Sequence, residues 1–442
     1  MKVLILGLGQ YPKGSGVAAA LYFAKQGDQI IATDLKTRKQ LSENVKQLSQ
    51  FKNVKYRLGG HDLKDVRWAD TIVRGPRVRS EAPEMKLARK LGKRITSDLS
   101  IFLEGCPCPV IGITGTRGKS TTTAMVHSIL IASKKWRRVW LGGNILVSPL
   151  TFLSQVKAND IVVLEMSSWQ LEATGDAGFS PQIAVWTNLM RDHLNTYANM
   201  DAYAEAKAQI FRHQLPDDVT ILPADRSFDE FAQETPGRVV RISSGVPRYA
   251  LRVPGEHNQM NASFAAAVGK ELGVPAKTIV SALKRFKGLP DRLETIALKK
   301  GITFINDTTA TTPDGTLAAL KSIKSKVKKS IKSGKSIKSK ANVHLIFGGT
   351  DKELEFDEIA KEIAKRKDVT VYLLKGTAER KIRKAGIKGA WFGNMEDAMR
   401  DIQVHARHGD TVLLSPGCTS FGMFHNEFDR GERFKELVKK WK

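Results

Sequence analysis

Strand-like apolar runs alternate with helical patterns along almost the whole chain. The runs "KVLILGLG", "QIIATD", "DIVVLEMSS", "QIAVWTNL", "DVTILPAD", "ITFIND", "VHLIFGGT", "VTVYLLKG" and "TVLLSPG" are short and dominated by Val, Ile and Leu. Most close on Gly, Asp or Ser, and helical stretches such as "VAAALYFAKQG" intervene. Continuous apolar strands joined by helical crossovers build parallel sheets with helices packed on them. An α/β class follows, and 442 residues leave room for several cores. Three α/β domains are expected, with a hinge in "FKGLPDRLE", Phe286 to Glu294.

The stretch "GITGTRGKSTTT", Gly112 to Thr123, has the chemistry of a phosphate cradle. Gly115 and Gly118 allow backbone N–H groups to face inward. Lys119 can reach outer phosphates, and Ser120 or Thr121 can hold Mg²⁺. The next residues, "TTAMVHSILIAS", read as a helix whose positive end faces the same anion. Ile113 stands where the general G-x-x-x-x-G-K-[ST] pattern has its first glycine. A glycine turn that only caps a helix is the plain alternative; strand before and helix after favour phosphate.

A second glycine-rich turn, "GLGQYPKGSG", lies between the first strand and the first helix, and Asp34 ends the second strand. That order suits a Rossmann-like domain. Its spacing is not G-x-G-x-x-G, so it points to a phosphate-bearing ligand rather than to one cofactor. The opening "MKVLILGLG" lacks a cleavage site and reads as a buried strand, not a signal peptide. Cys106, Cys108 and Cys418 form no disulfide framework, which suits a reduced cytoplasmic compartment; Cys-Pro-Cys reads as a loop between domains.

"LEMSSWQLE" puts Glu165 at the end of an apolar strand, where open α/β sheets bind ligands. His193 follows the next strand, and Lys207 falls within an amphipathic helix. Each has a plain reading: a helix cap, a loop histidine, a surface lysine. Together, downstream of a phosphate loop, carboxylate and imidazole suit metal ligation beside a triphosphate.

These stretches, with "AEAKAQIF", "GEHNQMNA", "GLPDRLE", "INDTTATTPDGTLAAL", "IFGGTDKELEF" and "LLSPGCTSFGMFHNEFDRGERF", occur in the order found in the Mur ligases, which the chain resembles over nearly its whole length. The resemblance implies an ATP-dependent amide ligase of peptidoglycan precursor synthesis. Its implied reaction adds glutamate, in the D form, to UDP-N-acetylmuramoyl-L-alanine through an acyl phosphate. It implies a Rossmann-like UDP-sugar domain at 1–97, a central P-loop ATPase-type ATP and Mg²⁺ domain at 98–289, and a Rossmann-like amino-acid domain at 290–442.

Carried over by motif, Gly115, Thr116, Gly118, Lys119, Ser120 and Thr121 would bind ATP, joined by Asn258, Asn261, Arg292 and Asp307. Ser120, Thr121, Glu165, His193 and Lys207 would surround two Mg²⁺ ions, with Lys207 carbamylated. Lys119, Asn144, His193 and Lys207 would be catalytic, Asn144 near the γ-phosphate. Asp34 would meet the uracil end, Ser167 and Gln170 the muramoyl part, and Thr311, Lys352, Ser420 and the Phe421 backbone the glutamate. No obligatory protein partner is evident.

Three places depart from the family pattern. Thr309 stands where lysine is common, Glu427 where an aromatic is, and "RGPRVRS" replaces a Ser-Pro-Gly turn. Arg74, Arg77 and Arg79 there are set equally between diphosphate binding and plain solvation. The first two departures bear on which amino acid is added. Much of the net charge of +26 comes from the nine lysines of "KSIKSKVKKSIKSGKSIKSK", Lys321 to Lys340, expected to extend a helix or form a loop. It is a candidate for attraction to RNA or an anionic membrane, but has no aromatic residue to stack on bases. The rival readings are a folylpolyglutamate-type ligase and a non-catalytic, nucleotide-regulated binding protein. An NAD-dependent oxidoreductase would leave the later blocks unexplained.

Overall fold

The computed structural model describes the chain at every position other than 146, 193–195, 244–247, 254, 324–326, 333–334, 421 and 442, with the backbone alone at 327–332 and 335–340. It forms two compact units, Met1–Leu251 with Glu256–Phe286, and Arg252–Gly255 with Lys287–Lys442.

The first unit carries two sheets. Strands β1 (Lys2–Leu6), β2 (Gln29–Asp34), β3 (Val54–Leu58), β4 (Thr71–Arg74) and β5 (Arg94–Thr96) form a parallel sheet in the order β3-β2-β1-β4-β5. Strands β6 (Val110–Thr114), β7 (Val139–Gly143), β8 (Ile161–Glu165), β9 (Ile183–Trp186), β10 (Val219–Pro223) and β11 (Arg238–Ile242) form the second, in the order β11-β10-β9-β6-β8-β7. All its pairings are parallel. Strands β6 and β8 are buried at every position, as parallel strands covered on both faces must be. One apolar core runs from Val3 and Ile5 through Phe102 to Val162 and Trp186. The Trp186 indole donates to the Asn188 carbonyl at 3.0 Å, so the polar edge of this buried ring is satisfied.

Arg74 and Asp98 tie the two sheets together. Arg74, at the end of β4, is 2% exposed and donates to Glu172 at 2.6 Å and to the Val78 carbonyl at 2.8 Å. It is therefore not a solvated arginine: it reaches the helix Ser168–Asp176 through Glu172, while its Nη1 is buried without a hydrogen bond, 3.8 Å from Asp176. Arg77 and Arg79 remain exposed. Asp98 accepts from Ser148 at 2.6 Å, and the Ser148 amide donates to the Lys13 carbonyl in the first glycine turn.

The second unit holds β12 (Glu294–Lys299), β13 (Ile302–Asn306), β14 (Val327–Lys332), β15 (Lys335–Lys340), β16 (Val343–Gly348), β17 (Val369–Leu374), β18 (Ala390–Phe392) and β19 (Thr411–Leu414). Its main sheet runs β12-β13-β19-β16-β17-β18; β12 is antiparallel and the rest parallel. The last strand in sequence thus lies between β13 and β16. The helix Glu427–Lys439 completes the core with Phe434 and Val438, and Trp441 meets Phe304 edge to face with centroids 4.9 Å apart.

The lysine-rich segment departs from expectation. The helix Pro313–Ser322 ends two residues into it, and β14 and β15 pair antiparallel, Val327 opposite Lys340 and Lys332 opposite Lys335. A continued helix would stack lysines three and four apart, which repel, and would spend Val and Ile on solvent. A Ser-Gly dipeptide between two runs containing Val or Ile is instead a hairpin signal.

Candidate functional site

Strand β6 is flanked by β8 and β9, so the segments leaving three strand ends open at one edge of the sheet. Ile113 lies opposite Glu165, which sets the phosphate loop beside that carboxylate. The loop turns at Gly115 (φ 145°) and Gly118 (φ 80°), backbone conformations that favour glycine. A Cβ on Gly115 would lie 2.0 Å from Thr187 Oγ1, and one on Gly118 2.3 Å from Asn261 Oδ1. The helix Lys119–Ser133 follows, its start capped by left-handed Gly118 without a side-chain bond. Its first amides therefore remain available to an anion.

The segment after β9 braces this loop. The Thr116 amide donates to the Asn188 carbonyl at 3.0 Å and the Arg117 amide to Asn188 Oδ1 at 2.9 Å. Thr187 donates to the Arg117 carbonyl at 2.8 Å, and Arg117 pairs with Asp192 at 2.8 Å. Sequence reasoning passed over Thr187 and Asn188. Their one signal is the "TN" that closes an apolar run, and nothing local shows which loop they brace.

Lys119 folds back on its own turn, donating to the carbonyls of Gly115 at 2.8 Å and Thr116 at 3.2 Å. Lys207, in the helix Met200–Ala208, is 1% exposed and donates to the same Gly115 carbonyl at 3.2 Å. Its amine sits 4.5 Å from the Tyr203 ring centroid. Burial, then repulsion from the Lys119 ammonium, pulls its pKa down to about 6, so near neutral pH it is mostly an uncharged amine. The surface lysine of the plain reading is thus a buried one.

Glu165 Oε1 accepts from the Asn144 side chain at 2.9 Å, and the Asn144 amide donates to the Glu165 carbonyl at 2.8 Å. Glu165 Oε2 is buried with no hydrogen-bond partner. An orphaned carboxylate oxygen beside a phosphate loop is a donor suited to a divalent cation. Ser120 and Thr121 open the helix at the same loop, and Thr121 is 7% exposed. Among the described residues, no group of three or more His, Cys, Asp or Glu could hold a metal. The hydroxyls and the lysine lie outside that donor set, and His193 lies outside the described residues.

Asn258 and Asn261, in the helix Glu256–Glu271, are buried beside the loop; Asn261 donates to Asn258 at 3.2 Å and accepts from Thr122 at 3.3 Å. Ser167 and Gln170 form the capping box of the helix Ser168–Asp176, with each side chain satisfying the other's backbone amide. Asp34 is likewise engaged, accepting from the Gly9 and Lys36 amides, each at 2.8 Å.

In the second unit, Asp307 is buried and accepts from Ser415 at 2.7 Å and the Leu293 amide at 3.0 Å. Burial raises its carboxyl to about 6 against those bonds. Arg292 is exposed nearby in sequence. The Gly348–Gly349 turn pairs Thr350 with Thr419, so exposed Lys352 and buried Ser420 follow from paired neighbours. Ser420 Oγ is buried without a partner. The Thr311 amide donates to Thr309, whose hydroxyl donates to the Asp291 carbonyl at 3.0 Å. Glu427 opens the final helix, and its carbonyl accepts from Thr308. Phe421 lies outside the described residues. Arg430, also unforeseen, is 1% exposed and donates to Thr308 and to the Cys418 carbonyl, stitching that helix to two loops.

Two family models match the chain, the Mur ligase middle domain over residues 113–245 and the Mur ligase glutamate ligase domain over residues 291–418. The UDP-N-acetylmuramoylalanine–D-glutamate ligase of Roseiflexus sp. (strain RS-1) is 34% identical, covering 99% of this chain and 98% of that protein. The enzyme of that name from Borreliella afzelii (strain PKo) is also 34% identical, over 99% and 97%. Among solved structures, the UDP-N-acetylmuramate-alanine ligase MurC of Thermotoga maritima shares the fold, with a TM-score of 0.61 at 21% identity over all of both chains. So does the MurF ligase of Thermotoga maritima, determined in complex with ADP, with a TM-score of 0.61 at 16% identity over 99% and 98%.

Proposed function

The chain belongs to the Mur ligases, ATP-dependent amide ligases of peptidoglycan precursor synthesis, and from that premise we propose that it joins D-glutamate to UDP-N-acetylmuramoyl-L-alanine. The observation that carries the reading is the pairing of the phosphate loop with Glu165, whose buried Oε2 awaits a partner. The relatives of matching length bear that activity in their names.

The substrate carboxylate is inert to amines because its charge repels them and oxide leaves poorly. Transfer of the γ-phosphoryl group of ATP makes an acyl phosphate that the amine can attack. In this reading the loop amides and Lys119 hold the phosphates, with Asn258 and Asn261 on the nucleotide side. Lys119 leaves the Gly115 and Thr116 carbonyls to do so. Asn144 orients Glu165 through its amide group. Ser120, Thr121, Glu165, His193 and a carbamylated Lys207 would hold Mg²⁺. Bound there, the metal offsets repulsion among the gathered anions and stabilises charge that develops in transfer.

Lys207 supplies an uncharged amine, the form that adds CO₂. The amine nitrogen bonds the carbon, a proton departs, and a carbamate results. Ser167 and Gln170 face the muramoyl part and Asp34 the uracil end. Arg292 and Asp307 act on the nucleotide, and Thr311, Lys352, Ser420 and the Phe421 backbone receive the glutamate. Ser420 Oγ, buried and unpartnered, has a hydroxyl to offer a carboxylate. The proposed division is 1–97, 98–289 and 290–442.

Thr309 and Glu427 make another amino acid the alternative to test. The test is phosphate release by purified protein with Mg-ATP and UDP-N-acetylmuramoyl-L-alanine, comparing D-Glu, L-Glu and other amino acids, with product masses. Release and a condensed product with D-Glu alone are expected. A product only with another amino acid would replace the substrate; no product with any would end the reading.

A further inference from the structure

The proposed ligation uses neither Cys106 nor Cys108. Both lie in the "CPCP" connection that leaves the helix Asp98–Gly105 and enters β6. Their Sγ atoms are 3.7 Å apart, and Cys106 Sγ lies 3.5 Å from the Cys108 carbonyl oxygen. Cys106 is half-buried and reachable from solvent, whereas Cys108 packs into the core of the first unit. Cα atoms two residues apart stand at most about 7 Å from one another in any backbone conformation, within or at the upper edge of the range disulfides span.

We propose that Cys106 and Cys108 form a dithiol site that reacts with small disulfides and closes to an intramolecular disulfide at the entry to β6. The steps balance. The Cys106 thiolate attacks one sulfur of a low-molecular-weight disulfide RSSR; that S–S bond breaks, RS⁻ leaves, and a Cys106–SR bond forms. The departing RS⁻ takes the Cys108 proton. Cys108 sulfur then attacks Cys106 Sγ and expels the second RS⁻, which takes up the proton Cys106 had given to solvent. Two protein thiols lose two electrons, and RSSR is reduced to two RSH.

The order of attack follows from the surroundings. The bond with Cys108 lowers the Cys106 thiol below its ordinary range, although burial opposes it. The same bond, with burial, raises Cys108, which suits the resolving partner. Cys418 is an internal control: it is fully buried in the second unit and its thiol is pushed up to about 12 by burial.

The test exposes the native, full-length protein to glutathione disulfide, quenches with an alkylating agent and reads the intact mass. Loss of about 2 Da, a linked 106–108 peptide and restoration by dithiothreitol are expected. C108S should stop at a stable glutathione adduct on Cys106, and C106S should react at least about tenfold more slowly. C418S should close like the parent. A stable Cys106 adduct in the parent, three alkylatable thiols after exposure, or a link to Cys418 or to a second chain would each overturn the proposal.

Discussion

The side-chain nitrogen of Lys207 lies 3.2 Å from the Gly115 carbonyl oxygen, which also accepts from Lys119 at 2.8 Å. Two amines therefore converge on one carbonyl where the phosphate loop begins. Burial of Lys207, then repulsion from the half-buried Lys119 ammonium, disfavours a second charge there and lowers the Lys207 pKa.

Lys207→Ala should lower turnover on the order of a hundredfold or more, since it removes a charged ligand from the transfer site. Added acetate or formate should restore part of the loss. For the parent, stripping CO₂ from the buffer should slow turnover and bicarbonate should recover it. Uptake of CO₂ needs the uncharged amine, so recovery should rise as pH climbs through about 6. Full activity in the alanine variant would dismiss the carbamate.

Gly118→Ala tests the cradle. The new Cβ would sit 2.3 Å from Asn261 Oδ1 on a backbone with φ 80°. Roughly 1–3 kcal/mol of stability should be lost through strain. ADP affinity, followed by calorimetry, should fall at least about tenfold, since the loop amides move with it. Nucleotide binding unchanged in a folded variant would count against the cradle.

Asp307→Asn should separate stability from function. The Asp307 carboxyl is raised to about 6 from an ordinary value of 3.8, so the folded state binds the extra proton between those values. Stability from this group falls as pH rises through that window and stays lost above it. The amide should therefore stabilise the unliganded protein above pH 6 on the order of 2 kcal/mol. Ser415 can turn its hydroxyl to Thr316, 3.1 Å away. ATP turnover should drop. Urea melts at pH 5 and pH 8 should show the gap over the parent widening with pH; a constant gap would refute the assignment.

Arg74→Met should destabilise the first unit by roughly 2–4 kcal/mol, because it leaves Glu172 without its buried partner. Arg74→Lys should recover only part, since an ammonium cannot reproduce the bonds to both Glu172 and the Val78 carbonyl. Denaturant midpoints decide it, and a silent Arg74→Met would show the bridge to be dispensable.

Replacing residues 324–340 by a short Gly-Ser linker should keep the melting temperature within about 2 °C and turnover within about twofold. Among the described residues, β14 and β15 hydrogen-bond as a sheet of their own. The core nearby is built instead by Leu320 and Val343 on either side. A large loss of stability would reveal contacts that the pairing does not.

What could be read from the chain was what local spacing encodes. The apolar runs became strands, and Gly115, Gly118 and Lys119 became a loop leading into a helix, because strand period, turn chemistry and helix start are local properties. What could not be read depends on residues meeting across the fold. The bracing of Arg117 by Thr187 and Asn188 joins positions about 70 apart, and Arg74 is bound by Glu172, 98 residues away. Neither leaves a mark in neighbouring residues. The capping box is legible in "SSWQ", where Ser167 and Gln170 stand three residues apart at a helix start. The hairpin of β14 and β15 was equally hard to read, because lysine dominates both strands and Val and Ile are too sparse there to mark a period.

The position of β19 has a bearing on how this protein is made. Its slot between β13 and β16 stays empty while more than 100 intervening residues are synthesised, and Phe434, Val438 and Trp441 arrive later still. A nascent chain on the ribosome can therefore join neither half of that sheet to the other. The central slot of the second unit can be filled only after β19 emerges from the exit tunnel, so its sheet closes late in synthesis.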